Sequence, residues 1–555
     1  FFKQKTAYEI PKRDWNSDVC SPIFEYGCVA VTANEHRSRP PSTQFEHAIP
    51  LNRVREVTLD PRTPVLIGQA QVLQREDDLA VARGPIELMS DAVRGAFADA
   101  GCPQPSQVDA IHVLRSLSTK VHNPAAAISR MTGIAAHIHG YTTHGGNLPQ
   151  ALVNLGALEI QAGRADCIVL TGGESSRTRR RARKAGVELE WVNGDQSSAA
   201  DAPPTPIGGE LEMLHPLETE RNVVLPIEIY PMFETALRNA SGMSVPQHRR
   251  RISELWSRFS TVAAKNPNAW IQESFTPEQI SAVSESNRMV GFPYTKLMNS
   301  NNDVDMAAAL VLCSAEYAES HGVPRDRWVF PVAGTDAHEH IFVSHRWSFT
   351  DTPAIRLGGR RLLELARWSI NDVDVVDLYS CFPSAVQLGA ASLGLGIDST
   401  LTSTGGLSFA GGPFNNYVMH AIATTMTILR NQPESKALVW ANGGYATKHS
   451  FGAYQAVPPQ HPFLHDSPQR EVNSLPKRDA VSASEAEGMV TVEAYSVMHD
   501  RDGSPSRLAA AVLTPNGVRS WAVTKDAGIM RHAIENDFVG EVMRLLPNGE
   551  LMERS

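Results

Sequence analysis

In GYTTHGGNLPQAL (140–152), Gly145 and Gly146 stand just before Asn147 and Pro149, at what reads as the head of a helix. Paired glycines let backbone approach another group closely, while Asn147 can cap the helix that Pro149 helps to start. Free N–H groups there suit an anion or a developing oxyanion; a tight turn packed on a neighbouring helix is the plainer use. The basic run RTRRRARK (177–184) carries Arg179, Arg180 and Arg183. Their guanidinium forks suit phosphate oxygens, and a solvated helix end would need the same residues. His137, His139 and His144 are spaced too loosely for a metal and lack a carboxylate pattern, so no metal site is expected. DRDG (500–503) lacks the rest of a calcium loop and reads as a hairpin turn.

These residues need elements to hold them. TPVLIGQAQV (63–72) reads as a buried strand, PIELMSDAVRGAFADAG (85–101) as an amphipathic helix ending at a glycine, and VDAIHVL (108–114) as the next strand. ALVNLGALEIQAG (151–163) has small and apolar residues on nearly every side, the pattern of a buried helix. The strand CIVLTGGESS (167–176) follows it. The pattern then recurs. RRLLELARWSINDVDVVDLYS (360–380) repeats helix and strand, and residues 411–444 repeat glycine pair, helix, polar joint, strand and glycine pair. Two such halves imply two α/β layers facing each other. Between them, about 177–300 is an insertion rich in helix pattern and charge. MVTVEAYSVMHD (489–500), RLAAAVLTP (507–515) and VRSWAVTK (518–525) are strand-like and form a small β-barrel-like domain, joined by the polar stretch 456–480.

Bulk properties restrict the function. A chain of 555 residues, 42% hydrophobic and 20% charged, describes a globular protein of more than one domain. A net charge of −9 gives no reason to expect nucleic-acid binding, and no apolar run is long enough to span a membrane. Six scattered cysteines argue for reduced thiols in the cytoplasm rather than disulfides or zinc. FFKQKTAYEIPKRDWNSDVCS resembles translated sequencing adapter, departing from it at Asn16 and from Pro22 onward. Residues 1–56 are therefore set apart as adapter translation or a disordered tail, and Cys20 and Cys28 carry no functional weight.

Several ordered motifs resemble thiolases. GGNLPQALVNLGALEIQAGRADCIVLTGGESS is similar to their nucleophile helix and the strand that follows it. SNNDVDMAAALVLCSAEYAESHGV (300–323) resembles their Asn-Asp-Gly-Ala-Ala-Ala segment, and YSCFPSAV (379–386) the His-Asp-Cys-Phe loop of sterol-carrier-type thiolases. GGLSFAGGP (405–413) resembles the Gly-His-Pro loop and ANGGYATKHSFG (441–452) the Cys-x-Gly loop. The resemblance covers about residues 60–455. It implies a duplicated α-β-α-β-α fold: an N-terminal half 57–328 carrying the insertion, a C-terminal half 329–456, a linker 457–480, and a small OB-like β domain 481–555.

The departures fall on catalytic positions. Gly145 or Gly146 stands for the nucleophilic cysteine, Gly412 for the histidine that activates it, and Ala441 for the second cysteine. Neither glycine nor alanine can titrate. The resemblance leaves Cys381, Tyr379, His449 and Asn442 near the same pocket. Cys381 is a nucleophile or proton carrier if His449 lowers its pKa, and otherwise a small buried hydrophobe. Tyr379 stands where some thiolase-like aldolases use a tyrosine for acid/base work, and a half-buried ring explains it equally well. His449 follows a glycine-rich loop, which favours a pocket role, whereas His420 sits in a helix pattern. Backbone N–H groups of Gly412, Gly443 or Gly444 are expected to form an oxyanion hole, with Gly145 and Gly146 leaving room for an acyl group. Arg179, Arg180 and Arg183 would then hold CoA phosphates.

Three functions compete. The first is an acyl-CoA acyltransferase of lipid metabolism working without the usual Cys/His/Cys set. The second is a retro-aldol lyase on β-hydroxyacyl-CoA using Tyr379, and the third a non-catalytic acyl-CoA or lipid binder. The CoA thioester is substrate rather than resident cofactor in each. Thiolase-fold proteins pair, so the resemblance also implies a homodimer, unless the C-terminal domain covers the pairing face.

Overall fold

The computed structural model describes residues 59–192 and 201–554; the adapter-like segment 1–56 lies outside them. The first sheet runs β1 (Pro64–Leu73), β8 (Asp305–Ser314), β4 (Cys167–Ser175), β2 (Gln107–Val113), β3 (Ala135–Thr142) and β5 (Thr205–Ile207). The second runs β10 (Val375–Leu378), β11 (Lys436–Gly443), β12 (Lys448–Gln455), β9 (Phe330–His338) and β13 (Leu464–Asp466). The duplication read from sequence is present in the strand pairing. Along β1-β8-β4-β2 the neighbours are antiparallel, antiparallel and parallel, and along β9-β12-β11-β10 they follow the same succession.

Layering follows from which helices are apolar on one side and which on all sides. The amphipathic helix Pro85–Ala100 packs on β1, β8 and β4, and its counterpart Pro353–Ala366 packs on β9 and β12. The central helices Leu148–Gln161 and Tyr417–Asn431 lie between the sheets, and the first touches β8 on one side and β12, β9 and β11 on the other. Leu152, Val153, Ala157 and Ile160 are buried there, together with the polar Gln150 and Asn154. The Gln150 amide oxygen accepts the Tyr454 hydroxyl at 2.7 Å, and its nitrogen donates to Asn154 at 2.9 Å. Gly452 of β12 permits this close approach, because a β-carbon there would run into the Gln150 amide.

The C-terminal strands form a third, antiparallel sheet: β16 (Arg519–Thr524), β15 (Pro505–Leu513), β14 (Gly488–His499), β17 (Val542–Leu545) and β18 (Leu551–Met552). An isolated bridge between Val523 and Glu550 brings the ends of this sheet together. Two short strands of the insertion, β6 (Met289–Phe292) and β7 (Tyr294–Thr295), extend it from β14, so the insertion and the C-terminal domain share one sheet. The stretch expected to be a linker, 457–480, is not free chain. Leu464 to Asp466 add an edge strand to β9, and Phe463 and Val472 are buried. Its proline-rich, polar composition hides these two anchors. Arg519, fully buried, ties the domain down by donating to the carbonyls of Val343, Ser344 and Arg346 and pairing with Glu493. No helix among the described residues is long and apolar enough to cross a membrane.

Candidate functional site

Helix Leu148–Gln161 starts as expected with Pro149 in its first turn, but Asn147 does not cap it through its side chain. The Asn147 amide instead donates to Ser450 at 3.4 Å, and its oxygen is left without a partner. The Gly145 N–H is also taken, donating to the Asn415 side chain at 3.0 Å.

The room expected around the glycine pair is already filled. A β-carbon added at Gly146 would stand 2.5 Å from the Tyr379 hydroxyl and 2.5 Å from the Asn442 carbonyl oxygen. At Gly145 it would meet the Asn147 side chain and stand 3.0 Å from the Lys448 amine. A β-carbon at Gly412 would run into Ser300 and stand 2.9 Å from Asn302. The Gly412 N–H donates to the Asn301 carbonyl at 2.9 Å, so it is not free to hold an oxyanion. The carbonyls of Gly443 and Gly444 accept from Thr447 N–H and the Tyr230 hydroxyl. At each of these glycines the space a side chain would need is taken by other groups.

Cys381 and Tyr379 do lie together, both buried, at the end of β10. Burial pushes the Cys381 thiol up to about 12, far from the thiolate range. Burial, and then the neighbouring Cys381, hold the Tyr379 phenol above its ordinary value. The group beside the Cys381 sulfur is the Tyr230 hydroxyl rather than His449. Side chains alternate along β12, so Lys448 and Ser450 face the central helix while His449 faces the other way, beside Trp440. The Trp440 indole N–H donates to His449 Nδ1 at 3.3 Å, and His449 Nε2 has no partner. Burial first, and then Arg346, keep this imidazole well below its usual pKa and hence neutral. The expected pairing of His449 with Cys381 is therefore absent.

Tyr230, from the insertion helix Pro226–Ala240, was missed by the sequence reading. Its hydroxyl accepts from Asn442 at 3.0 Å and from the Ala446 N–H at 2.9 Å, and donates to the Gly444 carbonyl at 2.9 Å. It fixes the loop that follows β11. Nothing near Tyr230 in sequence signals this, because its partners lie more than two hundred residues away. His420 is a helix residue bonded to Gln71 at 2.9 Å, apart from these groups.

The three arginines do share a cleft. Arg179, Arg180 and Arg183 line an open cleft of about 660 Å³ together with Leu117, Val187 and Phe414. Their helix, Ser176–Ala185, is anchored at its start by Thr178, whose N–H and hydroxyl donate to Asp305 of β8 at 3.1 and 2.6 Å. Leu117 is held by Glu174, whose carboxyl accepts the N–H groups of Leu117 and Ser118 at 2.7 and 2.9 Å. Burial raises that carboxyl to about 7. Arg180 pairs with Asp303 on the cleft wall and Arg179 donates to the Leu117 carbonyl, and all three arginines remain exposed. Phe414 adopts φ +45°, a strained backbone for a side-chain-bearing residue, and it precedes the Asn415 that holds Gly145. The cleft thus lies next to the glycine pair, with Phe414 on its wall and Asn415, the next residue, bonded to Gly145. Among the described residues no group of three or more His, Cys, Asp or Glu is placed to hold a metal ion.

Residues 468–550 match the family model described as the thiolase-like protein type 1 additional C-terminal domain. A monomeric SCP2-thiolase like protein type 1 from Mycobacterium smegmatis is similar over 90% of this chain and 100% of its own, with 28% identity and a TM-score of 0.75. The Ltp2-ChsH2(DUF35) aldolase shares the fold over 71% of this chain and 98% of its own, with 19% identity and a TM-score of 0.52. With the duplicated sheets, these likenesses give the chain a thiolase-like fold and a thiolase-like C-terminal domain, consistent with the thiolase superfamily.

Proposed function

We propose that the chain binds CoA thioesters in the arginine-lined cleft and does so without the cysteine-based acyl-enzyme of thiolases. One observation carries the reading: the Tyr379 hydroxyl stands where a side chain at Gly146 would project, which removes the place of a nucleophilic sulfur. Three further features support it. The Cys381 thiol is held protonated, Gly412 has neither a titratable group nor a free N–H, and His449 faces away. Phosphates suit the arginines, and Leu117, Val187 and Phe414 suit an apolar arm. Acyl transfer through Cys381 would need a thiolate that burial opposes. Retro-aldol cleavage would need Tyr379 as a base, and its raised pKa keeps the phenol protonated.

Titration calorimetry with acetyl-CoA and with CoA, run beside intact-mass measurement, tests the proposal. Saturable binding with no hydroxylamine-labile adduct is expected. Absence of binding defeats the reading, and a labile adduct lost in Cys381→Ala returns the acyltransferase.

A further inference from the structure

Lys448 is a buried lysine aimed at the head of helix Leu148–Gln161. It is 8% exposed, and its amine donates to the carbonyl of His144, one residue before the glycine pair. A side chain at Gly145 would begin 3.0 Å from that amine. The register of the nucleophile therefore matters little. At Gly146 the place is taken by a phenol, and at Gly145 by the Asn147 side chain with the Lys448 amine beside it. Among the described residues no carboxylate forms an ion pair with Lys448, and Glu210 acts on it only through its more distant charge. A buried ammonium without a counter-ion is costly, and desolvation lowers the Lys448 pKa, which enriches the free amine. The Asn147 side-chain oxygen beside Gly145 has no partner, so a hydrogen-bond acceptor also waits at this point. The His144 ring lies in the field of Lys448, and burial first, then Arg115, hold it below its usual pKa.

We propose that the Lys448 amine accepts an acyl group from a bound CoA thioester, making an Nε-acyl-lysine at the head of this helix. The proposal rests on the CoA-thioester binding argued above. The nitrogen lone pair attacks the thioester carbonyl carbon and a C–N bond forms. The C–S bond breaks, the sulfur leaves with its electron pair, and the proton released by nitrogen ends on it as CoA thiol. The product amide does not turn over, so Lys448 is a modification site that retains the acyl group. Acylation removes the titratable amine at the head of this helix and requires the Asn147 side chain beside Gly145 to give way.

The test incubates the full chain with acetyl-CoA at neutral pH and maps acetyl-lysine by peptide mass spectrometry. Calorimetry on the same sample reports binding. Lys120, Lys184 and Lys525 serve as internal references. Acetylation at Lys448 should exceed that at these lysines by about tenfold, as expected for a desolvated amine beside bound donor. It should resist hydroxylamine and be suppressed by excess CoA. Binding with no preference for Lys448 overturns this proposal and leaves the binding reading standing. Preference for Lys448 that excess CoA does not suppress overturns delivery from the cleft. Absence of binding overturns both readings together.

Discussion

The Tyr379 hydroxyl occupies the space into which a side chain at Gly146 would project, with its Oη 2.5 Å and its Cζ 2.9 Å from the place of a β-carbon. The loop after β10 and the head of the central helix are thus fitted to each other. Replacing Gly146 by alanine forces the ring or the helix to move. The cost expected for such overpacking is about 1–3 kcal/mol. Tyr379→Phe removes Oη and leaves Cζ and the Asn442 carbonyl in place, so the double variant should recover only part of that loss. Urea unfolding of the four proteins measures the coupling, and strictly additive losses would refute the contact. By the same geometry, Gly146→Cys does not recreate a thiolase nucleophile.

The cleft makes a prediction with opposite signs at neighbouring residues. Arg183 is exposed on the cleft, whereas Arg180 is bound to Asp303 at 2.6 Å. If phosphates dock there, Arg183→Ala should weaken CoA binding and Asp303→Asn, by releasing Arg180, should strengthen it. Each change is expected to be about threefold to tenfold at low salt, the scale of one exposed charge contact. Calorimetry at two ionic strengths checks both. Equal affinities across the set would remove the arginines from the site.

Much of the fold was legible because the chain marks it clearly. Helix Leu148–Gln161 and strand β4 are apolar runs punctuated by glycines, and the same punctuation recurs at Gly411 and Gly443. Strand β12 was not legible. Lys448, His449, Ser450 and Tyr454 are polar or amphipathic, yet all four are buried; His449 meets Trp440 on the neighbouring strand, and the other three meet partners from elements distant in sequence. A pattern of hydrophobicity cannot show that. The arginines could be read as a group since they share one short helix. The blocking of Gly146 could not, because it depends on Tyr379, more than two hundred positions along, and on the ring's direction.

Thiol reactivity separates the binder from the acyltransferase without any substrate. Cys381 is buried with its thiol near 12, whereas Cys102 is only half-buried. Iodoacetamide at mildly alkaline pH should label Cys102 well before Cys381 in the native protein, with Cys381 reacting only on unfolding. Peptide mapping over time distinguishes the sites. Rapid labelling of Cys381 would mean that the site opens and that a thiolate is available there. Cys381→Ala is expected to leave CoA affinity unchanged.

Stability should fall as the solution becomes alkaline, through two identifiable carboxyls. Glu339 and Glu174 are both buried, and burial raises each from 4.5 to about 7. A carboxyl with a raised folded pKa binds its proton more tightly in the native state than in the unfolded chain. Its contribution is therefore complete below the unfolded value of about 4.5 and lost as pH rises through about 7. For each group this is on the order of 3 kcal/mol between mildly acidic and mildly alkaline solution. Asp336 acts in the opposite sense, since His465, Ser450 and Asn154 outweigh its burial and lower its pKa. Its contribution is lost only as pH falls below the ordinary range, and buried imidazoles such as His112 and His420, held below 6.5, add stability as pH rises towards that value, so the decline due to raised carboxyls is read above it. The Glu339 carboxyl accepts the Ala354 N–H at 2.9 Å, a bond that the glutamine oxygen can keep. Glu339→Gln should thus flatten the decline measurably, as read from urea midpoints across the pH series. An unchanged slope in this variant would show that Glu339 titrates like an exposed carboxyl.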